Sequence, residues 1–257
     1  MVWGIYGKGP GMRVVVAGAT GLIGSRTVVR LRDHGVEVVR VSRREGVDVT
    51  TGKGLDEAMR GADVVVDVTD TPSRGAVESL EFFGTATRNL LEAAARAGAE
   101  HHVLLSMVGT ERLRAGYFRA KALQEEQVRR SPMPYSLVRA TPFYESMEYM
   151  SRAATYGDVV HVAPVLVRPM ATDDVAAALA HVAVGIPLFG VLEVAGPEEH
   201  RLDDLTAKLL AARGYRRDVV SDAYTPFYGA VLGQQSLLPG AEAHLGHETF
   251  SEWLARR

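Results

Sequence analysis

Two side chains suited to proton transfer stand four residues apart in the sequence Tyr117-Phe-Arg-Ala-Lys121. They open a predicted helix that runs to about Arg130, and residues four apart lie one above the other on a helix face. An ammonium group near a phenol oxygen favours the ionised phenol, so this spacing predicts a lowered pKa for Tyr117. A tyrosine tuned in this way is a candidate general acid or base.

A hydroxyl group, that of Ser106, ends the predicted strand His101 to Ser106 just before this helix. The carboxyl ends of strands are where open α/β sheets bind their ligands, so Ser106 is placed to join the pair. The adjacent residues His101 and His102 point to opposite faces of a strand, which is poor geometry for one metal ion. We interpret both histidines as structural.

The elements that position these groups begin with Arg13-Val-Val-Val-Ala-Gly18-Ala-Thr-Gly21-Leu-Ile-Gly24. The β-branched run predicts a buried parallel strand. Glycines after it permit a sharp turn, a close approach of backbone N–H groups to a pyrophosphate, and the start of a helix. Their spacing, G-x-x-G-x-x-G, resembles that of short-chain dehydrogenase/reductase proteins. The stretch therefore predicts a dinucleotide site.

The second strand, Val36 to Val41, is followed by Ser42-Arg43-Arg44. Proteins that bind NAD place an acidic residue here to hold the ribose 2′-hydroxyl, whereas positive charge suits the 2′-phosphate of NADP. The sequence therefore favours NADP, with Arg43 as the phosphate partner and Ser42 as a supporting donor. The alternative is that both arginines are merely solvated in a surface loop.

Further elements alternate along the chain as an α/β protein requires. The third strand, Asp63 to Val68, leads to Thr69-Asp70-Thr71-Pro72, which should face the middle of the cofactor. The other predicted elements are helices at Leu22 to His34, Leu55 to Met59, Ala76 to Ala97, Val175 to Val184 (capped by Thr172 or Asp173), Leu202 to Arg213 and Thr249 to Leu254, and strands at Tyr135 to Arg139, Val162 to Val167 and near Val191 to Val194.

The segment from Tyr117 through Ser131-Pro-Met-Pro-Tyr-Ser-Leu-Val-Arg139-Ala-Thr-Pro-Phe143 resembles the NmrA-like, atypical short-chain dehydrogenase/reductase group. That group includes NADPH-dependent quinone and azo-dye reductases, isoflavone-type reductases, and cofactor-sensing regulators without catalysis. The resemblance implies that Ser106 polarises a carbonyl, that Tyr117 transfers a proton, and that Lys121 lowers the Tyr117 pKa while holding the nicotinamide ribose. Retention of both Tyr117 and Lys121 favours an enzyme over a sensor.

The same resemblance implies an adenine contact at Asp48 and Val49. It also implies that Asn89 bonds to backbone near the active site; the alternative is that Asn89 is a polar residue of the surface. The predicted cofactor-binding residues are Gly18, Thr20, Gly21, Leu22, Ile23, Gly24, Ser42, Arg43, Asp48, Val49, Thr69, Lys121, Ala140 and Thr141.

An aromatic and thioether cluster follows the fifth strand. It comprises Phe143, Tyr144, Met147, Tyr149 and Met150. Such a stripe is either core or pocket; beside the expected hydride site it predicts an apolar or aromatic substrate bound by Phe143, Tyr144 and Met147. Tyr224, Phe227 and Tyr228 are candidates for a lid over the substrate, with Tyr224 as a substrate residue.

Composition narrows the class of protein. The 257 residues are 47% hydrophobic and 23% charged, enough to bury a core as one large α/β domain. A net charge of -2 gives no general attraction to nucleic acid or an acidic membrane, and no cysteine is present for thiol, disulfide or Cys-zinc chemistry. His244-x-x-His247 lacks a zinc-hydrolase pattern, so no metal is expected. Without a long apolar run or leader, we expect a cytoplasmic protein that crosses no membrane.

These observations predict a Rossmann-type doubly wound parallel sheet in a single domain, residues 12–257, after an extension at 1–11. The core should span about 12–142, with substrate and lid parts at 143–161 and 186–257. The favoured function is NADPH-dependent reduction of a carbonyl or quinone of a small apolar molecule, by a monomer or homodimer. The alternatives are a non-catalytic NADP(H) redox sensor and an isomerase or dehydratase that does not consume its cofactor.

Overall fold

The computed structural model describes residues 11–256, so the predicted extension, apart from Gly11, lies outside the described residues. The strands are β1 Arg13–Ala17, β2 Glu37–Val41, β3 Val64–Asp67, β4 His101–Met107, β5 Tyr135–Ala140, β6 Thr155–Tyr156, β7 Val159–Val162, β8 Leu166–Val167, β9 Gly190–Ala195, β10 His200–Arg201, β11 Asp218–Ser221 and β12 His244–Leu245. The α-helices are α1 Leu22–Asp33, α2 Leu55–Met59, α3 Ala76–Ala97, α4 Gly116–Arg130, α5 Tyr144–Ala153, α6 Thr172–Val184, α7 Leu202–Ala212 and α8 Phe250–Ala255.

A seven-stranded sheet in the order β12-β9-β5-β4-β3-β1-β2 forms the centre of the molecule. All of its strand pairs are parallel. The chain leaves β1 toward β2 on one side and returns as β3 on the other, which creates a topological switch point at the carboxyl end of β1. This doubly wound arrangement confirms the predicted fold class and opens a crevice where a ligand can bind.

Consecutive valines in β1 explain why helices cover both faces of the sheet. Val14 and Val16 of β1 pack into one core cluster, and Val15 packs into another on the opposite face. Successive side chains of a strand point to opposite faces, and a strand buried on both sides needs apolar residues at every position. Helices α1 and α6 pack together on the first face, and α3 packs against α2 and α4 on the second.

A smaller lobe is built from the carboxyl-terminal half of the chain. The three-stranded sheet β11-β7-β6, helices α5 and α7, and helix α8 enclose their own core cluster. Strands β9 and β12 nevertheless join the central sheet, so the core takes two strands from beyond residue 142. The predicted part 186–257 therefore contains two strands of the central sheet, and the covering of a substrate by its other segments stays a prediction.

Two predicted elements need correction. The strand expected from Val162 to Val167 is wrong: β7 ends at Val162 and β8 begins at Leu166, in different sheets. Pro164 lies between them, and proline cannot donate a backbone hydrogen bond to a sheet. The helix expected from Val175 begins at Thr172, so neither Thr172 nor Asp173 caps it, and the Thr172 hydroxyl donates to Glu145 Oε1 at 2.7 Å.

Candidate active site

A cleft of about 690 Å³ lies at the carboxyl ends of the central strands. It brings together sixteen of the predicted site residues: Gly18, Thr20, Gly21, Leu22, Ile23, Ser42, Arg43, Asp48, Val49, Thr69, Ser106, Tyr117, Lys121, Ala140, Thr141 and Phe143. The predicted residues Gly24, Tyr144, Met147 and Tyr224 do not line it. We call the part around Ser42 and Arg43 the adenosine end, and the part around Ser106, Tyr117 and Lys121 the reaction end.

The glycine loop forms the floor between the two ends. Gly18 has φ +86°, and a Cβ there would lie 2.7 Å from the Val68 carbonyl oxygen. Gly24 does not face the cleft, but a Cβ on it would lie 2.1 Å from the Gly18 carbonyl oxygen, so this glycine lets α1 pack on the loop. Helix α1 has no acidic residue in its first turn. Its positive end is therefore suited to an anion such as a pyrophosphate.

At the adenosine end, polar groups lie without protein partners. The buried Oγ of Ser42 has no hydrogen-bond partner within the described part of the chain. Arg43 and Arg44 are exposed and form no ion pair with described residues, whereas the nearby Glu45 pairs with Arg40 at 2.9 Å. A hydroxyl donor beside two free cations fits the 2′-phosphate of NADP.

The predicted adenine contacts lie in a turn fixed by local bonds. Asp48 Oδ1 accepts from the Thr50 N–H at 2.8 Å and from the Thr50 hydroxyl at 2.6 Å, which lowers the pKa of Asp48. Asn89 Nδ2 donates to the carbonyl oxygens of Val49 and Thr50 at 2.8 and 3.0 Å. Asn89 therefore makes a backbone contact, and it supports the adenosine end of the cleft.

Tyr117 lies at the reaction end with its hydroxyl bonded to an acidic side chain. Its hydroxyl donates to Asp70 Oδ1 at 2.8 Å. Arg74 donates to both carboxylate oxygens of Asp70, at 2.7 and 2.6 Å, and its guanidinium lies 4.6 Å from the centre of the Tyr117 ring. Burial, reinforced by the Asp70 charge, raises the pKa of Tyr117 well above its ordinary value. The predicted lowering of this pKa is therefore wrong for this structure.

Lys121 is held by a second set of partners. Its ammonium donates to the Leu105 carbonyl oxygen at 2.7 Å and to Gln124 Oε1. Gln124 Nε2 in turn donates to the buried Asp67 at 3.0 Å. Burial lowers the pKa of Lys121. Because the ammonium is bonded to groups other than the Tyr117 oxygen, it does not lower the pKa of Tyr117.

Ser106 belongs to a buried ion pair beside the cleft. Its hydroxyl donates to Glu125 Oε1 at 2.6 Å, and Arg139 donates to both oxygens of Glu125, at 2.9 and 2.7 Å. Although burial favours the neutral acid, the bonds from Arg139 and Ser106 lower the pKa of Glu125. The Ser106 proton is thus directed at Glu125, which differs from the expected donation to a substrate carbonyl.

Three of the four predicted substrate residues lie outside the cleft. Tyr144 is fully buried in the core of the smaller lobe, with its ring 5.4 Å from that of Trp253. Met147 is buried in the same core cluster and borders a second cavity. Tyr224 is 83% exposed and lines neither cavity. Of the lid candidates, Tyr228 lines the cleft and Phe227 borders only the second cavity.

Several residues of the reaction end are not predicted from the sequence or are predicted without a catalytic role. The sequence predicts Asp70 only to face the middle of the cofactor, and it predicts no role for Arg74, Glu125 or Arg139. Asp70 and Arg74 form an ion pair within the loop before α3, where the helical spacing of four does not apply, so the sequence gives no signal for the pair. The Glu125 and Arg139 pair joins α4 to β5, and no local pattern in the sequence indicates it.

Within the described residues 11–256, neither a metal site nor a membrane-spanning helix is present. These residues hold no group of three or more His, Asp or Glu side chains arranged for a metal ion. None of their helices has the length and apolar character needed to cross a bilayer.

The parallel sheet, the glycine loop at its switch point and the cleft define a dinucleotide-binding protein of the Rossmann type. The model of the NAD(P)H-binding family matches residues 18–184, more than half of the 257 residues. The chain belongs to this NAD(P)H-binding family, which confirms the predicted class of cofactor.

Curated and solved relatives agree with this assignment. The (4-alkanoyl-5-oxo-2,5-dihydrofuran-3-yl)methyl phosphate reductase of Streptomyces griseus subsp. griseus is 34% identical over 144 residues, covering 51% of this chain and 48% of the relative. The chain thus spans less than half the length of the curated relatives it matches.

Two solved structures share the fold. The Escherichia coli NADPH-dependent quinone oxidoreductase QOR2 with NADPH has a TM-score of 0.62 and 20% identity, covering 81% of this chain and 77% of its own. MoeE5 in complex with UDP-glucose and NAD has a TM-score of 0.70 and 21% identity, covering 95% and 96%. At these identities the likeness concerns the fold alone.

Proposed function

We propose that this protein is an NADPH-dependent reductase of the short-chain dehydrogenase/reductase type that reduces a carbonyl or quinone group of a small apolar or aromatic molecule. The observation that carries the proposal is the position of Tyr117 and Lys121 on the wall of the cleft, at the end opposite Arg43. A proton donor and a cation thus lie at the nicotinamide end of a dinucleotide site. The reductase activities named for the Streptomyces relative and for QOR2 support this class of reaction.

The preference for NADP rests on the adenosine end. Arg43 and Arg44 offer free positive charge, and Ser42 offers an unused buried hydroxyl. An acidic residue, which would repel a 2′-phosphate, is absent from the end of β2, where Ser42 stands. We infer that Arg43 and Ser42 bind the 2′-phosphate, that the glycine loop binds the pyrophosphate, and that Thr141 and Lys121 lie beside the nicotinamide ribose.

Bound NADPH supplies the hydride. Tyr117 supplies the proton to the substrate oxygen, and its raised pKa keeps it protonated at neutral pH. In the structure that proton is directed at Asp70. The substrate oxygen must therefore replace Asp70 as acceptor, and Arg74, bonded to both Asp70 oxygens, neutralises the carboxylate that is left.

Lys121 and Ser106 have supporting parts in this proposal. The Lys121 ammonium, fixed by Leu105 and Gln124, provides positive charge near the oxygen that becomes negative during hydride transfer. Because the Ser106 hydroxyl donates to Glu125, it contributes to the position of the reaction end more than to polarising the substrate. We therefore expect Ser106→Ala to reduce kcat less than Tyr117→Phe does.

The test is fluorescence titration with NADPH and NADH, followed by the loss of NADPH absorbance with a panel of quinones and aromatic ketones. We expect tighter binding of NADPH than of NADH, and oxidation of NADPH with at least one panel member. Binding without oxidation across the panel would instead support the sensor alternative, in which the Tyr117–Asp70 bond is permanent. No binding of either nucleotide would overturn the whole assignment.

A further inference from the structure

A second cavity, of about 330 Å³, lies beside the reaction end within the smaller lobe. Helix α5, strand β7 and the segment 225–229 enclose it. Arg74 and Tyr228 line both this cavity and the cofactor cleft. The two spaces thus share a wall at the point where the proton donor lies.

The walls of the second cavity are apolar. Met147, Leu202 and Phe227 come from the core cluster of the smaller lobe, and Met150 packs against that cluster. Flexible thioether side chains adapt to irregular apolar groups. The volume lies within the range of about 300–1,000 Å³ that ligand pockets occupy.

Three hydroxyl side chains that line this cavity already have internal partners. The hydroxyls of Ser151 and Thr206 donate to the carbonyl oxygens of Glu148 and Leu202, at 2.8 and 2.7 Å. The Thr225 hydroxyl donates to Asp222 at 2.9 Å. A polar ligand group would have to compete with these bonds, whereas an apolar group would not.

The shared wall is built from the residues that hold Tyr117. The Arg74 guanidinium lies 4.6 and 5.1 Å from the ring centres of Tyr117 and Tyr228, which are 5.6 Å apart. The Tyr228 carbonyl oxygen accepts from the Tyr117 N–H at 3.0 Å, and Tyr228 has φ +51°, a left-handed conformation that non-glycine residues rarely adopt. A strained residue is thus retained where the two spaces meet.

We propose that the second cavity binds an apolar arm of the substrate, an alkyl chain or an aryl group, while the reducible oxygen of the same molecule lies at Tyr117. This inference rests on the proposed reductase function and adds the substrate class: a carbonyl or quinone compound with an apolar alkyl or aryl substituent. Arg74 and Tyr228 then border the path by which the arm enters. Burial of each added methylene should raise kcat/KM about threefold to fourfold until the cavity is filled.

The experiment uses 2-alkyl-1,4-naphthoquinones with methyl to hexyl substituents and two readouts. Calorimetric titration into the full chain saturated with NADP⁺ gives the affinity of each compound, and loss of NADPH absorbance gives kcat/KM. In Ala154→Phe the new ring occupies the cavity, so the increase from methyl to hexyl should fall to less than threefold. Met150→Ala enlarges the cavity and should move the optimum to a longer chain. Ala211→Phe, on the exposed side of α7, is the matched control and should keep the wild-type increase.

The outcomes separate the two proposals. An increase in affinity and kcat/KM with chain length, abolished in Ala154→Phe, supports both. Affinity that depends on chain length without any NADPH oxidation supports the cavity and contradicts the reductase. Reduction at equal efficiency for all chain lengths, unchanged in both cavity variants, overturns the cavity proposal and leaves the reductase standing. Affinities that do not vary with chain length and no oxidation contradict both.

Discussion

At the adenosine end of the cleft, a buried hydroxyl has no hydrogen-bond partner and two guanidinium groups form no ion pair with described residues, whereas at the reaction end Ser106, Tyr117 and Lys121 are each bonded to other protein groups. Ser42 and Arg43 illustrate the first arrangement. Tyr117 with Asp70, and Ser106 with Glu125, illustrate the second. Polar groups without protein partners in a cleft can bind a ligand, while groups bonded in a buried network fix the positions of their side chains. The adenosine end is therefore arranged for binding, and the reaction end for position.

The largest expected effect on stability comes from the Glu125 and Arg139 pair. Glu125→Gln removes the buried carboxylate from Arg139, which keeps only the more exposed Glu111 at 2.7 Å, and should lower the free energy of unfolding in urea by about 3 kcal/mol. The pKa of Glu125 is lowered in the folded state, so this loss should be complete above pH 4.5, the ordinary value, and should shrink as the pH falls below it. The neighbouring Glu126→Gln, which breaks an exposed pair with Arg130, should cost less than about 1 kcal/mol. An equal decrease in the free energy of unfolding of the two variants would contradict the claim that the buried pair stabilises the fold more than the exposed pair does.

The next largest effect is expected on NADPH affinity at the adenosine end, where Arg43 tests whether the free positive charge binds the cofactor. Arg43→Gln removes one charge from the adenosine end and should weaken NADPH binding by roughly 10-fold, the size expected for a charge-assisted hydrogen bond. The dissociation constant of NADH should stay within about twofold, because NADH lacks the phosphate. Arg60→Gln, an exposed arginine paired with Glu57 and away from the cleft, is the control. A parallel loss of affinity for both nucleotides would contradict the phosphate assignment.

The sequence predicts the adenosine end better than the reaction end, for a physical reason. A glycine loop and the residues after β2 act through backbone conformation and charge over a few positions, so Gly18, Ser42 and Arg43 could be found in the sequence. The reaction end depends on contacts between distant elements, such as Glu125 with Arg139 and Tyr117 with Asp70. Tyr117 and Lys121 could be named from their spacing, but their partners, and hence the direction of the Tyr117 pKa, could not.

The same limit applies to the fold. The bounds of α2 and α3 agree with prediction because strong helix formers and a terminal Gly98 fix them locally. The break between β7 and β8 and the burial of Tyr144 depend on how the smaller lobe packs. Tyr144, which the sequence predicts to bind substrate, lies instead in that core.

A smaller effect is expected in the dependence of kcat on pH. Burial, followed by the Asp70 charge, raises the pKa of Tyr117, so kcat of the wild type should show no loss from tyrosine ionisation between pH 6 and 9. Asp70→Asn removes the carboxylate and should move the alkaline decline of kcat to lower pH, with NADPH affinity little changed. Profiles of kcat against pH for the two proteins measure this shift, and a shift toward higher pH would contradict the assigned role of Asp70.

The smallest expected effect belongs to Ser42. Ser42→Ala removes a buried hydroxyl that has no partner among the described residues, so the free energy of unfolding should stay constant or rise by less than about 1 kcal/mol. NADPH affinity should nevertheless fall about threefold to tenfold. Thermal unfolding with and without NADPH gives both quantities. A loss of stability in the free protein would show that this hydroxyl is structural and not reserved for the cofactor.

The most direct test of the central claim, that Tyr117 donates the proton at the reaction end, is a rapid-mixing measurement of NADPH oxidation in a single turnover. Tyr117→Phe should slow this step by about 100-fold or more while binding NADPH within twofold of the wild type. Tyr215→Phe, which also loses a hydroxyl bonded to a carboxylate, that of Glu148 at 3.0 Å, is the matched control and should react at the wild-type rate. Oxidation by Tyr117→Phe at the wild-type rate would contradict the account.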